Sequence, residues 1–518
     1  MKKFIALIFI FSFFQTEFLF PQMQLDWVKI YNGTFSGGVD GAKAITLDKN
    51  SNSYVTGFSQ ISGNIFECVT IKYNLLSNIV WENHYQRSMN STGFDIQIDD
   101  SGYIFVACGS ILKYKESGEL MWSKFDSVGY YKLILDSIGI TYGGGISLEE
   151  HLTVGKYNNN GERIWRKKYS FPGSAGVDRF GGFTMDRSGN IIVTGRSKSN
   201  TTFYDFATIK YSNNGDLIWS RRYNGPSSYS FDDAEGVTAD IFGNVYVTGT
   251  SMDSLNNYNF VTIKYDSLGN EIWLKRIPAN QFIADIGYNI KTDSSQNVFI
   301  AGRLSGKTSI IKLDRNGNVL WYRVYPEGRS ATDNYPVIVL DSIYNVYTTA
   351  ISTATGAADY AAIKYDSSGN QIYSVIYNNS NTGFEYAYDL ALGKNGDLYL
   401  TGEFSANGRC YGTVKYSPII TGIEINNNNP FEFKLEQNYP NPFNPVTHFG
   451  FGISNLGFVS LKVYDVLGKE VAALVNEQKS PGSYEVEFDG RDLSSGIYFY
   501  SLQIEGKIVQ TKSMVLLK

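Results

Sequence analysis

A pattern of the form Ile-Lys-Tyr recurs eight times along the chain, with its lysine at Lys72, Lys113, Lys156, Lys210, Lys264, Lys312, Lys364 and Lys415, a mean spacing of about 49 residues. In seven copies a large aromatic stands nine residues after the lysine: Trp81, Trp122, Trp165, Trp219, Trp273, Trp321 and Tyr373. Upstream lies a second pattern, an Asp-x-x-Gly-Asn turn followed by Val-Tyr-Val-Thr-Gly. It is clearest at 240–249 and ends in the eight copies at Gly57, Gly109, Gly145, Gly195, Gly249, Gly302, Ala350 and Gly402. The turn aspartate accepts bonds from the turn backbone, and the turn glycine takes the left-handed conformation that branched residues avoid, so each turn closes a hairpin. One unit is therefore two hairpins. Four strands in about 49 residues is the size of a propeller blade, which buries its faces only by stacking on its neighbours.

The last copy carries the topology. After Lys415-Tyr416 the pattern breaks at Ser417-Pro418, with no tryptophan to follow. An unmatched fourth strand, Leu25 to Gly33, stands near the N-terminus and parallels Leu217 to Gly225 almost position by position. A chain that starts on strand four and ends on strand three closes a ring and removes an exposed sheet edge. An open solenoid would instead need capping repeats at its ends. The expected fold is all-β: an eight-bladed β-propeller over 23–420, with seven blades as the alternative. The strings D-x-x-G-N-x-Y-V-T-G and I-K-Y-D-x-x-G-N-x-x-W resemble the bacterial SBBP-type β-propeller repeats over roughly 25–420. That resemblance implies the fold and a life outside the cytoplasm. The family has no single activity to transfer.

Both ends read as addresses. Met1-Lys2-Lys3 and the apolar run Phe4 to Phe14 have the form of a signal peptide, so 1–22 is expected to be a cleaved leader, with an uncleaved N-terminal anchor as the rival. No later run reaches the ~18 apolar residues of a spanning helix. An Asn-rich linker at 421–430 precedes 431–518, where short alternating strands divided by Gly, Pro and Asn predict a small Ig-like β-sandwich. This stretch holds Asn438-Tyr439-Pro440-Asn441-Pro442-Phe443-Asn444-Pro445, then Val463-Tyr464-Asp465 with Gly468-Lys469-Glu470-Val471, then Gly496-Ile497-Tyr498. It is similar to the type A C-terminal sorting domain of the type IX secretion system of Bacteroidetes-like bacteria. The resemblance implies export by Sec, passage through the outer membrane with the type IX machinery as partner, removal of the domain, and release or surface anchoring. An ordinary appended Ig-like module is the rival.

Composition narrows the chemistry. Lys and Arg total 45 against 50 Asp and Glu, a net charge of −5, which leaves no basic footprint for nucleic acid. Three Cys and three His are too few for a zinc site or a disulfide framework. Cys68 and Cys410 hold near-equivalent repeat positions and could bridge, leaving Cys108 odd, but three semi-buried thiols are the expected state. Strings such as Asp314-Arg315-Asn316-Gly317-Asn318 are hairpin turns rather than calcium loops, and neither G-x-S-x-G nor H-E-x-x-H occurs, so no cofactor is expected.

An acidic side chain stands eight residues before the turn in six repeats: Asp40, Asp178, Asp232, Asp285, Asp333 and Glu385. Thr92 and Val128 are the exceptions. Placed in the loop entering the innermost strand, the six would ring one mouth of the channel and take a cation such as Ca²⁺ or a polyhydroxylated ligand. As scaffold, each would accept backbone N–H bonds from its own loop, and regular repetition favours the scaffold. The repeated lysines and tryptophans are expected to be structural, with each ammonium reaching solvent or a turn aspartate. The repeat-breaking insertion Glu149-Glu150-His151 offers a histidine beside two carboxylates, an acid/base candidate or a solvated loop cluster. The expected protein is a secreted or surface-displayed monomer that binds glycans or proteins and is not an enzyme. A polysaccharide hydrolase or lyase and a passive structural element are the alternatives.

Overall fold

The computed structural model describes residues 23–518 except 88–89, 137–138, 170–176, 228–230, 278–283, 327–334, 355, 380–382, 406–407, 420–433, 454–456, 480–481 and 505. The expected leader, the expected linker and Asp333 lie outside the described residues. The chain divides into two compact units, 1–419 and 420–518.

Among its described residues the first unit forms eight four-stranded antiparallel sheets. Seven take four strands in succession. The eighth runs Tyr386–Leu392, Leu398–Ser405, Arg409–Pro418 and then, outermost, Met23–Tyr31. That last pairing extends antiparallel from Met23↔Pro418 to Tyr31↔Tyr411 and sets Trp27 opposite Lys415. In chain order the first strands of sheets 1 to 8 are Asp40–Leu47, Asp95–Ile98, Val128–Leu135, Arg179–Met185, Asp232–Ala239, Ile286–Thr292, Ile338–Leu340 and Tyr386–Leu392. Each touches the next, and the last touches the first. This is the arrangement of a β-propeller.

Burial follows distance from these first strands. Second and third strands are buried almost throughout, as in Val245–Met252 and Tyr258–Tyr265, whereas fourth strands such as Val319–Val324 alternate between exposed and half-buried. The cores lie between sheets. One joins Ile192 and Phe206 of sheet 4 to Val247 and Ile263 of sheet 5.

The lysine and the tryptophan of one repeat make the same join. They are cross-strand partners, as in Lys264↔Trp273, and they converge on one carbonyl in a turn of the following sheet. Lys113 Nζ and Trp122 Nε1 donate to Asn159 O at 3.3 and 3.0 Å. Lys264 and Trp273 meet Arg315 O at 3.2 and 3.0 Å, and Lys312 and Trp321 meet Ser367 O at 2.8 and 3.2 Å. A turn aspartate is the partner elsewhere, as in Lys210–Asp186 at 2.8 Å. At the eighth sheet Lys415 reaches Asp26 of the N-terminal strand and Asp397, each at 3.0 Å.

The glycine ending Val-Thr-Gly answers to a bulge. Six first strands carry one extra residue, between Ala42/Ala44, Tyr130/Lys132, Phe180/Gly182, Ala234/Gly236, Gly287/Asn289 and Ala387/Asp389. A Cβ on the facing Gly57, Gly145, Gly195, Gly249, Gly302 or Gly402 would stand 1.8–2.4 Å from a carbonyl oxygen of the bulged strand. The bulge and the glycine require one another. In sheet 2 the pairing Ala107↔Ile111 puts Cys108, not Gly109, at this position; Gly109 is the positive-φ residue of the turn. Sheet 7 has Ala350 there, and neither of these two first strands shows a register shift.

The second unit contains a three-stranded sheet (Lys434–Leu435, Val446–Ile453, Gly482–Asp489) and a four-stranded sheet (Glu470–Lys479, Gly457–Tyr464, Gly496–Ile504, Lys507–Leu516) around a core that includes Phe449, Leu461, Tyr500 and Met514.

Candidate functional site

The recurrent acids hold loops. Asp40, Asp178, Asp232, Asp285 and Glu385 are all buried, so they do not stand open at a channel mouth. Asp40 accepts the N–H of Gly33 at 2.8 Å and of Gln60 at 3.2 Å; Asp232 accepts Gly225 N–H at 2.6 Å; Asp285 accepts Ser305 N–H at 2.6 Å. Burial raises the Asp285 carboxyl to about 6. Glu385 differs. Its carboxyl is raised to about 7, by burial first and then by the charge of the Asp359 carboxyl.

The insertion after the second strand of sheet 3 does not form a His–Glu pair. Glu149 is exposed and pairs with Lys168, and Glu150 is a positive-φ turn residue whose carbonyl accepts the Asp178 N–H at 2.8 Å. His151 instead lies 3.5 Å from the Asp178 carboxylate, which also accepts the Leu152 N–H at 3.2 Å. Two residues singled out for different reasons thus meet, in a contact that ties a hairpin turn to the entry of the next sheet.

The titratable groups that converge are others, on the first strands. Lys132 Nζ of sheet 3 lies 3.3 Å from Asp95 Oδ1 of sheet 2, whose second oxygen accepts the Leu133 N–H at 2.8 Å. Asp389 of sheet 8 acts in the same way toward sheet 1, accepting the Ile45 N–H at 2.9 Å as well as that of Leu390 in its own strand. Burial raises the Asp389 carboxyl to about 6, and Lys132 opposes the rise. Lys132 itself is raised, chiefly by Asp95. On sheet 6, burial lowers Lys291 and the Lys132 ammonium lowers it further, with Asp389 and Asp95 opposing. Charges from sheets 2, 3, 6 and 8 therefore influence one another. The site is wet: Lys132 keeps 51% of its side chain open.

Aromatic faces and further ion pairs gather at the bulges of the first strands. Lys43 Nζ is 2.9 Å from Glu403 and 3.5 Å above the Tyr388 ring. Tyr131 contacts Phe94 and Phe180, with centroids at 4.9 and 5.9 Å, and Tyr288 contacts Tyr335 at 4.8 Å. Arg179 bonds Asp233 at 2.6 Å and Glu235 at 2.8 Å, while burial, then Asp233, raises Glu235 to about 7. Lys43, Tyr131, Glu235, Tyr288 and Tyr388 are the extra residues of their bulges. Chemically, such a set suits a polyhydroxylated or charged ligand, with flat faces for apolar patches and both signs of charge for polar groups. Among the described residues no group of three or more His, Cys, Asp and Glu side chains is placed to hold a metal ion.

The motifs of the second unit build its frame. Asn438 is buried, and its amide donates to Pro440 O at 3.1 Å and Thr447 Oγ1 at 3.0 Å. Asn441 Oδ1 accepts the Val515 N–H at 2.9 Å, and Phe443, whose own N–H donates to Val515 O at 2.9 Å, enters the core. Pro440 and Pro442 both follow cis peptide bonds. The segment is thereby tied to the last strand. Gly468 takes the positive φ of its turn, Gly496 opens the central strand, and the Tyr498 hydroxyl donates to Ser494 O at 2.9 Å. Tyr439, in contrast, projects from the surface.

Comparison with known proteins agrees with both units. Residues 437–516 match the secretion system C-terminal sorting domain, and residues 218–256 match the SBBP β-propeller repeat. An uncharacterized WD repeat-containing protein of Acanthamoeba polyphaga mimivirus is 23% identical over 400 residues, 72% of this chain and 24% of the relative, so the chain spans about a quarter of that relative's length. The crystal structure of Saccharomyces cerevisiae Sqt1 is similar with a TM-score of 0.50 at 10% identity, covering 75% of this chain and 98% of that one, a likeness of fold alone. A Bacteroides caccae protein of unknown function gives a TM-score of 0.31 at 14% identity over 52% of this chain and 93% of its own. Among the described residues no helix is long and apolar enough to cross a membrane. The chain thus carries an SBBP β-propeller repeat at 218–256 and, at 437–516, a secretion system C-terminal sorting domain that marks it for secretion or the outer cell surface.

Proposed function

We propose that the eight sheets are the blades of one closed ring, sealed by Met23–Tyr31, and that this ring is an extracellular binding or adhesion module for a glycan or a protein rather than a catalyst. The reading rests on one observation: scaffold positions repeat from sheet to sheet, while the residues meeting at the axis do not. Asp95, Lys132, Lys291 and Asp389 come from four different sheets and interact as one group. A single composite surface with unlike contributions is suited to a ligand, whereas packing alone would be served by equivalent residues.

The test applies the secreted chain to a glycan array, to extracellular protein extracts and to a panel of polysaccharide hydrolysis assays. Saturable binding weakened tenfold or more in Lys132→Ala and Asp389→Ala is the expected outcome. Saturable polysaccharide cleavage abolished by Glu235→Gln would establish the hydrolase or lyase alternative instead. Absence of both binding and turnover would leave a passive structural element.

A further inference from the structure

Two of the three cysteines meet at one interface between sheets. Cys68 lies on the third strand of sheet 1, Ile65–Tyr73, and Cys108 just beyond the second strand of sheet 2, Ile104–Ala107. Both are buried, at 1% and 4% exposure, in one cluster with Tyr54, Val106 and Tyr114. Burial raises the Cys108 thiol, and the neighbouring Cys68 thiol raises it further. Thr56 Oγ1 lies against Cys68 Sγ at 3.6 Å. Cys410 belongs to a different cluster and donates to Phe404 O at 3.3 Å.

Position 108 is where six other sheets need glycine, because a bulged neighbour leaves no room for a Cβ. The first strand of sheet 2 has no register shift, so a side chain fits there, and the one present joins the buried cluster that holds Cys68 of sheet 1. Sequence periodicity makes Cys410, the near-equivalent of Cys68, a conceivable partner for it, with three unpaired thiols as the favoured reading. Propeller stacking instead sets a third strand against the second strand of the following sheet, which brings Cys108 to it.

We propose that Cys68 and Cys108 form a disulfide in the exported protein, a covalent tie between the first two sheets of the propeller. The chain's sorting domain marks it for export from the reducing cytoplasm to surroundings in which disulfides persist. The oxidant is an external disulfide, either a small molecule or a disulfide oxidoreductase. The Cys68 thiolate attacks one of its sulfurs and expels the other as a thiol. The Cys108 thiolate then attacks the Cys68 sulfur of the mixed disulfide and expels the second thiol. One S–S bond forms within the chain, the external S–S bond breaks, and two electrons and both cysteine protons end on the released pair of thiols. The reaction belongs to folding, before the sheets dock. Once docked, burial holds the Cys108 thiol up and makes the attacking thiolate scarce.

The experiment takes full-length chain recovered from the medium or the cell surface, alkylates it under denaturing conditions without reductant, and maps its peptides by mass spectrometry. Export is scored separately by that recovery, so the bridge and the secretion route fail independently. The expected result is one species in which the Cys68 and Cys108 peptides are joined, two hydrogens lighter than the free pair and separable by reductant, with Cys410 alkylated. A second arm compares thermal unfolding with and without reductant: the native chain should lose several degrees, and Cys108→Ser should lose its dependence on reductant. An exported chain with Cys68 and Cys108 both alkylated, or with Cys410 linked to either, overturns the proposal.

Discussion

Replacing Gly249 by alanine tests the coupling between the repeat glycine and the bulge. The new Cβ would stand 2.0 Å from the Asp233 carbonyl oxygen and 2.9 Å from Ala234 Cα, both backbone atoms that no rotamer change can move aside. Overpacking of a core costs about 1–3 kcal/mol. Escape would mean unmaking the bulge between Ala234 and Gly236, which disturbs about two ladder hydrogen bonds at about 1 kcal/mol each. Against this, alanine in place of glycine reduces the freedom of the unfolded chain and returns about 0.4–1 kcal/mol. Strain and escape are alternatives, so the net expectation is a loss of about 1–2 kcal/mol in urea unfolding of the full chain followed by tryptophan fluorescence. Ala350→Gly, in a sheet whose first strand shows no register shift, should cost only about 0.5–1 kcal/mol. Because Glu235 is the extra residue of this bulge, the alanine variant should also weaken its bond to Arg179. An unfolding midpoint for Gly249→Ala equal to that of the native chain would falsify the coupling.

Further outcomes follow from the buried charges. Glu385 ionises near its ordinary 4.5 in the unfolded chain but near about 7 in the fold, so its contribution is complete below pH 4.5 and declines as pH rises toward 7. Glu385→Gln should therefore gain up to ~3 kcal/mol over the native chain at pH 8 and little at pH 4, measured by unfolding at both values; equal differences at the two would refute the shared burial with Asp359. Lys210 and Asp186 form an almost fully enclosed pair at 2.8 Å. Lys210→Met should cost about 3–5 kcal/mol by stranding the aspartate, and adding Asp186→Asn should restore a substantial part of it. A double variant no better than the single one would show that the cost lies elsewhere.

The scaffold was readable because it is periodic. The Asp-x-x-Gly-Asn turns, the lysine and the tryptophan recur at fixed offsets, and Lys264, Trp273 and the Arg315 carbonyl show what the offset serves. The acids before each turn were equally visible, but their role depended on burial and on nearby backbone N–H groups, as at Asp40 and Gly33. The axis was hidden by a shift of frame. Matching Gly109 to the repeat glycine starts the count at Asp100 and aligns Ile96 with Lys132 and Asp389, whereas the turn residue is Asp99, from which the same count reaches Asp95. Those positions also change residue type from sheet to sheet, and a search for recurrence passes over them. The Cys68–Cys108 contact was hidden by the same habit of matching like with like.

Ring closure is tested most directly by a pair of cysteines in place of Val28 and Val414, which face each other across the outermost two strands of the eighth sheet although they come from opposite ends of the propeller sequence. After mild oxidation of the folded full-length chain, mass spectrometry should find the two engineered residues joined, with an unfolding midpoint above that of the reduced form. Recovery of both as separately alkylated thiols from folded protein would mean that the N-terminal strand does not complete the last sheet.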